Sequence, residues 1–237
     1  MRGMILAAGR GERMGALTAE LPKPLLKLAG RYLIEYPLLA FAQAGIREIV
    51  INVSYHAEKI QQALGDGAQY GVKITYSYEA ERLETGGGIF QALPLLGTEP
   101  FIVLSSDIIS EYPLQNLPQQ PEGLAHLVMV KNPVYHPRGD FGLRGAKLDM
   151  KAQPSLTFSN IGVYRPELFA DCKPGHFRLG KLLIEGILQD RLSGELYTGM
   201  WRNIGTPQEL AALESEWRAR EESNLRPLAS ETNTLSS

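Results

Sequence analysis

Residues 4–25 read MILAAGRGERMGALTAELPKPL. Met4, Ile5, Leu6, Ala7 and Ala8 form an apolar run with the composition of a buried strand. The run breaks at Gly9 and Gly11, and Arg10, Arg13 and Lys23 follow in quick succession. Small residues let backbone N–H groups approach a polyanion, and nearby cations neutralise it. A Gly-x-Gly alone is a turn. No Gly-Lys-Ser/Thr follows, so the segment is not a P-loop. No third glycine stands at Glu12 or Met14, so it is not the dinucleotide fingerprint either. Pro24 biases Lys23 away from helical geometry and Pro22 fixes its own backbone angle, which predicts a stiff, extended stem for the lysine. Strand, glycine turn and three cations together point to a phosphate-binding loop.

The rest of the first half repeats a strand–helix alternation. Leu33 to Ala44 has helical spacing and stops at Gly45; Glu48 to Val53 is a second apolar strand. Glu58 to Leu64 is a short helix, Val72 to Tyr76 alternates as a strand, a helix starts at Gly88, and Phe101 to Leu104 is another buried strand. Such alternation implies an α/β fold, a mainly parallel sheet with right-handed crossovers. Ligands in such sheets bind beyond the carboxyl ends of the strands, where both the Gly9 loop and Asp107 fall. The second half is less regular. Leu124–Val130 and Leu156–Val163 are strands, Asp140–Leu143 and Leu148–Met150 short strand candidates, and Phe177–Leu188 and Leu210–Arg218 helices. Residues 1–220 are expected to form one domain of two halves that meet at about residue 110. Residues 221–237, polar and ending in Ser-Ser, are expected to be a disordered tail.

The chain has 237 residues, 44% of them hydrophobic and 21% charged, which suits one domain with a large core. A net charge of −2 gives no attraction for nucleic acid or a membrane surface. No run is long enough to cross a bilayer and no signal peptide precedes the first strand, so a cytoplasmic location is expected. Cys172 is the only cysteine, so no internal disulfide forms, and it reads as a small hydrophobe. His56, His126, His136 and His176 lack metal-ligand spacing and read as structural or surface residues.

LAAGRGERM followed by LPKPL resembles the signature of the sugar-1-phosphate nucleotidylyltransferases. The resemblance continues through Leu83-Glu84-Thr85-Gly86-Gly87-Gly88, Ser105-Ser106-Asp107, Arg138-Gly139-Asp140-Phe141, Phe158-Ser159-Asn160-Ile161-Gly162 and Trp201-Arg202-Asn203-Ile204-Gly205-Thr206. It spans residues 2 to about 217. It implies a Rossmann-like mixed sheet flanked by helices, the GT-A-like fold of nucleotide-diphospho-sugar transferases, with a nucleotide-binding half over about 1–110 and a sugar-binding half over 111–220. LETGGGIFQALPLL, GLAHLVMVKNP and RGDF are most similar to the N-acetylmuramate-1-phosphate uridylyltransferases of cell-wall recycling. Proteins of this type are also labelled mannose-1-phosphate guanylyltransferases, and that alternative stays open. The implied substrates are an NTP and a sugar 1-phosphate, with Mg²⁺ as cofactor, in a monomer or small homo-oligomer.

The resemblance also implies roles. Arg13 takes the β- and γ-phosphates, because a guanidinium forks across two oxygens. Lys23 takes the α-phosphate, and Asp107 binds the metal. Leu6, Ala7, Ala8, Gly9, Arg10 and Gly11 cradle the nucleotide. Glu84, Thr85, Gly86, Gly87 and Gly88 form a base loop, where a flat base lies against bare backbone. Gly139, Asp140, Ser159 and Asn160 are sugar-site candidates. Lys147 and Lys151 are the basic residues considered for the sugar's phosphate, without a motif behind them. Two departures matter. Ser105-Ser106 stand where relatives have Asn-Gly. Asn203 stands where they have the second metal carboxylate, and an amide adds no negative charge for Mg²⁺. A weakened or non-catalytic nucleotide-sugar binding homologue is therefore a further reading. Gly15-Ala16 replaces the commoner Arg-Pro.

Overall fold

The computed structural model describes residues 1–225. In chain order the elements are β1 (Gly3–Leu6), β2 (Lys27–Leu28), β3 (Arg31–Tyr32), α1 (Glu35–Gln43), β4 (Glu48–Val53), α2 (Ala57–Leu64), β5 (Lys73–Tyr78), α3 (Glu84–Leu96) and β6 (Phe101–Ser105). The second half adds β7 (Ile108–Ser110), β8 (Ala125–Val130), β9 (Gly142–Arg144), β10 (Lys147–Asp149), β11 (Thr157–Tyr164), α4 (Leu179–Leu188), β12 (Leu192–Tyr197), β13 (Trp201–Asn203) and α5 (Pro207–Leu225). Helix α5 runs past residue 221, where the tail was expected to start; residues 226–237 lie outside the described residues. No helix among the described residues is long and apolar enough to cross a membrane.

Nine strands form one sheet in the order β5-β4-β1-β6-β11-β8-β12-β10-β9. The β5-β4-β1-β6 half is parallel throughout, β8 and β12 are parallel, and β11 and the β9–β10 hairpin run antiparallel. This is the expected α/β architecture, a mixed sheet flanked by helices. Successive side chains of a strand point to opposite faces. Accordingly Ile5 and Ile51 pack with Leu38 and Phe41 of α1 and Ile60 of α2, whereas Met4 and Val50 pack with Ile89 and Ala92 of α3 and Leu183 of α4. A third cluster, Met14, Leu26, Leu28, Leu33, Ile109, Ile204 and Leu213, fastens the back of the 12–28 segment to β7, β13 and α5.

Strand register sets the site. Leu6 lies opposite Ser105, so the Gly9 loop and Asp107 leave neighbouring parallel strands side by side. Strand β13 pairs antiparallel with β7 and sets Asn203 opposite Ile108; the Ile204 N–H donates to the Asp107 carbonyl at 2.9 Å. β12 and the short β7 and β13 had no counterpart in the sequence reading.

Helix α3 begins at Glu84, four residues ahead of the predicted start, so Gly86, Gly87 and Gly88 are helical and buried. The reason is close packing. A Cβ at Gly86 would lie 2.6 Å from the Phe177 ring, and one at Gly87 would run into the Gly175 carbonyl. The Gly87 N–H also donates to the Phe177 carbonyl at 3.1 Å, and the Phe177 N–H to the Leu83 carbonyl at 3.2 Å. Gly87→Ala gains about 1 kcal/mol of helix propensity and loses about 2–4 kcal/mol by overpacking against fixed backbone. The expected outcome is a melting temperature lower by about 2–8 °C in a thermal scan.

Candidate active site

The Gly9 loop lines a cavity of about 430 Å³. The Met14 N–H returns to the Gly11 carbonyl at 2.8 Å and closes the turn. The amides from Gly9 to Arg13 find no acceptor among the described residues, so they are free for a ligand. Gly11 has φ 68°, and a Cβ there would sit 2.7 Å from Lys23 Cβ, so the loop lies directly on the lysine stem. That stem is not extended as predicted. Lys23–Leu25 is a single 3-10 turn, closed by the Leu25 N–H on the Pro22 carbonyl at 2.8 Å and the Leu26 N–H on the Lys23 carbonyl at 3.0 Å. Pro24 has no N–H to lose in a first turn, so the turn outweighs its bias on the preceding residue.

Lys23 Nζ donates to Asp107 Oδ2, with 10% of the lysine side chain and 25% of the aspartate exposed. Arg13 lies against the Gly205 backbone, where a Cβ would be 3.1 Å from Nη2. Arg10 sits over the Tyr55 ring at 5.2 Å. Of the residues named from sequence, Leu6, Ala8, Gly9, Arg10, Gly11, Arg13, Lys23, Glu84, Thr85 and Asp107 line this cavity. Ala7 does not: it is buried and its N–H donates to Asn52 Oδ1 at 2.9 Å. Gly86, Gly87 and Gly88 do not line it either, being packed beneath it, so they offer no bare backbone to a base.

Sequence reasoning missed Asn52 and Glu79, which also line the cavity. Asn52 Nδ2 donates to Glu79 Oε1 at 2.6 Å, and the Leu83 N–H donates to Glu79 Oε2 at 3.0 Å. Both side chains are at most 5% exposed, and Glu79 has no cation partner among the described residues. The signal was a polar residue inside the apolar run EIVINV. Glu84, at the cavity mouth, has φ 58° and is ringed by Arg82 at 3.3 Å, His176 at 3.6 Å and Arg178 at 3.9 Å.

A second cavity of about 460 Å³ adjoins the first along the Asn203–Gly205 strip. Its walls include Tyr135, Tyr197, Trp201, Asn203 and Glu209, with the cations Lys131 and Arg202. Asn203 Oδ1 is buried without a hydrogen-bond partner. Burial pushes the Tyr135 hydroxyl above its ordinary pKa; the Asn203 side chain opposes this, Glu209 and Asp107 add to it, and Arg13 opposes it.

None of the four sugar-site candidates lines either cavity. Ser159 is fully buried, its hydroxyl donating to the Val128 carbonyl at 2.6 Å and its carbonyl accepting from Trp201 Nε1 at 3.0 Å. Asp140 accepts the Phe158 N–H at 2.8 Å and meets His136 Nε2 at 3.1 Å, while Gly139, at φ 61°, has no room for a Cβ beside Asn132 and Leu156. Both brace the 131–140 loop. Asn160 sits with φ 60° where β11 shifts register against β8. Lys147 is spent on the Asp190 carbonyl at 3.1 Å, and Lys151 belongs to the turn after β10. Burial and nearby acids push the Cys172 thiol up, which suits a passive residue.

A model of the nucleotidyl transferase family matches residues 2–153. The chain is 45% identical over 231 residues to the N-acetylmuramate alpha-1-phosphate uridylyltransferase of Neisseria meningitidis serogroup B, covering 92% of this chain and 100% of that protein. It is 29% identical over 225 residues to the mannose-1-phosphate guanylyltransferase catalytic subunit beta of Drosophila melanogaster, covering 88% of this chain and 60% of the fly protein. Among solved structures, UDP-glucose pyrophosphorylase complexed with UDP-glucose matches with a TM-score of 0.75 at 16% identity, covering 92% of this chain and 98% of that one. At that identity the likeness is one of fold.

Asn52 joins β1, β4 and the Glu79 segment at the cavity floor. Asn52→Ala leaves the Ala7 N–H unpaired and strips a buried carboxylate of one of its two donors, at a cost of about 2–4 kcal/mol. Urea denaturation is expected to show that loss as a lowered midpoint with an unchanged slope.

Proposed function

The chain belongs to the nucleotidyl transferase family, and on that premise we propose that it transfers a uridylyl group from UTP to N-acetylmuramate 1-phosphate. The observation that carries the reaction class is the convergence of Arg13, Lys23 and the free amides of residues 9–13 on one cavity with Asp107. The choice of uridine and N-acetylmuramate rests on the full-length match to the Neisseria enzyme.

The reaction joins two anions. An oxygen of the sugar phosphate attacks the α-phosphorus and forms a new P–O bond. The bond from that phosphorus to the α–β bridging oxygen breaks, and pyrophosphate leaves with the electron pair. The loop amides and the Arg13 fork hold the β- and γ-phosphates. Lys23 rests on Asp107 until the nucleotide arrives, then meets the charge that builds on the α-phosphate. Glu79, held by Asn52 and the Leu83 N–H, accepts an imino N–H from the base. Uracil and guanine both offer one; adenine and cytosine do not. The second cavity takes the sugar, with Tyr135 and Trp201 against its apolar face and Lys131 and Arg202 for its anionic groups.

Mg²⁺ is part of the proposal. Asp107 supplies a carboxylate, and Asn203 an unpartnered buried oxygen on the neighbouring strand. No group of three or more His, Cys, Asp or Glu side chains able to hold a metal exists among the described residues. Mg²⁺ is commonly held by one or two carboxylates with substrate phosphates and water, so Asp107 and Asn203 fit as its protein ligands. When bound, the ion would draw charge from the phosphates.

The neutral Asn203 favours one second reading, a homologue that binds nucleotide sugars with weak or no turnover. Glu79 would serve GTP as well as UTP, which keeps a mannose-1-phosphate guanylyltransferase as the other. Pyrophosphate release is to be measured with UTP and GTP against N-acetylmuramate 1-phosphate and mannose 1-phosphate, for this chain and for Asn203→Asp. UTP with N-acetylmuramate 1-phosphate is expected to be fastest, and Asn203→Asp to raise the rate at limiting Mg²⁺ by about tenfold. No release from any pair with either protein overturns the reading. Lys23→Met is expected to lower kcat by about 10²–10³ while the KM for UTP stays within about threefold.

A further inference from the structure

Tyr135 lines the second cavity beside Asn203, and the roles above use its ring but leave its hydroxyl without one. The loop that carries it is braced at its base. Asn132 Nδ2 donates to the Pro137 carbonyl at 3.1 Å and to the Ser155 carbonyl at 3.0 Å, and the Thr157 hydroxyl donates to Asn132 Oδ1 at 2.9 Å. His136 and Asp140 close the other side at 3.1 Å, and the Asp140 carboxylate is tied to the Phe158 N–H. These contacts fix the stem and leave the tip overhanging the second cavity. At that tip Val134 is 98% exposed, but Tyr135 is 51% exposed and turned inward, lining the cavity with Asn203 and Glu209.

Its hydroxyl stands among the groups that matter most. Asn203 and Glu209 share its cavity wall, and Arg13 and Asp107 lie within electrostatic reach. Asn203 Oδ1, on the same wall, is buried without a hydrogen-bond partner. A half-exposed aromatic ring on a braced loop, with an O–H to donate beside a phosphate site, is a ligand-facing group. The ring offers an apolar face to a pyranose, and the O–H offers a donor to an anionic oxygen.

We propose that Tyr135 is a substrate-binding residue that seats the sugar 1-phosphate across the junction, its ring walling the sugar cavity and its hydroxyl donating to the acceptor phosphate. This rests on the nucleotidyl-transfer reading above. It assigns Tyr135 to the acceptor alone, since the nucleotide lies on the far side of the Asn203–Gly205 strip. The hydroxyl thereby fixes the phosphate that must attack, so losing it weakens binding of one substrate and not the other.

The test compares Tyr135→Phe with the unaltered chain, taking initial rates while each substrate is varied at saturating amounts of the other. A hydrogen bond to a charged phosphate predicts a KM for the sugar 1-phosphate raised about tenfold or more in Tyr135→Phe, with the KM for UTP within about twofold. Tyr135→Ala, which also removes the ring wall, is expected to raise the first value further. Calorimetric titration of the sugar 1-phosphate into each protein reads the same loss without turnover. Unchanged sugar-phosphate binding in Tyr135→Phe overturns the assignment, and so does an equal rise in both KM values, the mark of a merely structural role. If the unaltered chain neither turns over nor binds any sugar 1-phosphate, it is the underlying reading that fails.

Discussion

The site depends on one ion pair. Lys23 comes from the turn after the phosphate loop and Asp107 from the end of β6, and their contact closes the floor between two segments far apart in the chain. Each charge is largely out of water, so neither is stable there without the other. The pair also explains why Gly11 is a glycine: the loop rests on the lysine stem with no space for a side chain. In the resting site the lysine neutralises the aspartate. In the proposed reaction a triphosphate takes the lysine from the aspartate and leaves the acid for the metal, so that binding and activation would share one ion pair.

A second buried network works alongside it without formal cations. Asn52 ties the end of β1 to Glu79, and Glu79 ties the start of α3 to the same point. That side of the cavity is therefore positioned by hydrogen bonds between β1, β4 and the start of α3. The three glycines of α3 serve this arrangement by letting the 175–177 segment press close to the helix. Their smallness matters for packing, one step removed from the ligand.

The first half was legible because parallel strands buried on both faces read as apolar runs, as β1, β4 and β6 do. Arg13, Lys23 and Asp107 were legible because each follows a strand end or a glycine turn. Lys23 itself shows the limit of one residue's bias, since the hydrogen bonds from the Leu25 and Leu26 N–H groups close a 3-10 turn that Pro24 alone disfavours at the lysine. The second half was harder. β8 pairs with β12 across more than sixty residues, and no local pattern announces such pairing. Ser159 was misread although alternation carried the answer: Thr157, Ser159 and Ile161 are all buried in β11, which puts the serine on the inner face. Asn203 was noticed as a departure, but its burial and its neighbour Tyr135 could come only from the three-dimensional arrangement.

The mutual neutralisation of Lys23 and Asp107 is tested most directly by a double-mutant cycle on stability, using Lys23→Met, Asp107→Asn and the pair together in chemical denaturation. Each single change strands a largely buried charge and is predicted to cost about 2–4 kcal/mol, while the double change costs less than the sum of the two by more than about 1 kcal/mol. Strict additivity of the two losses would contradict the account.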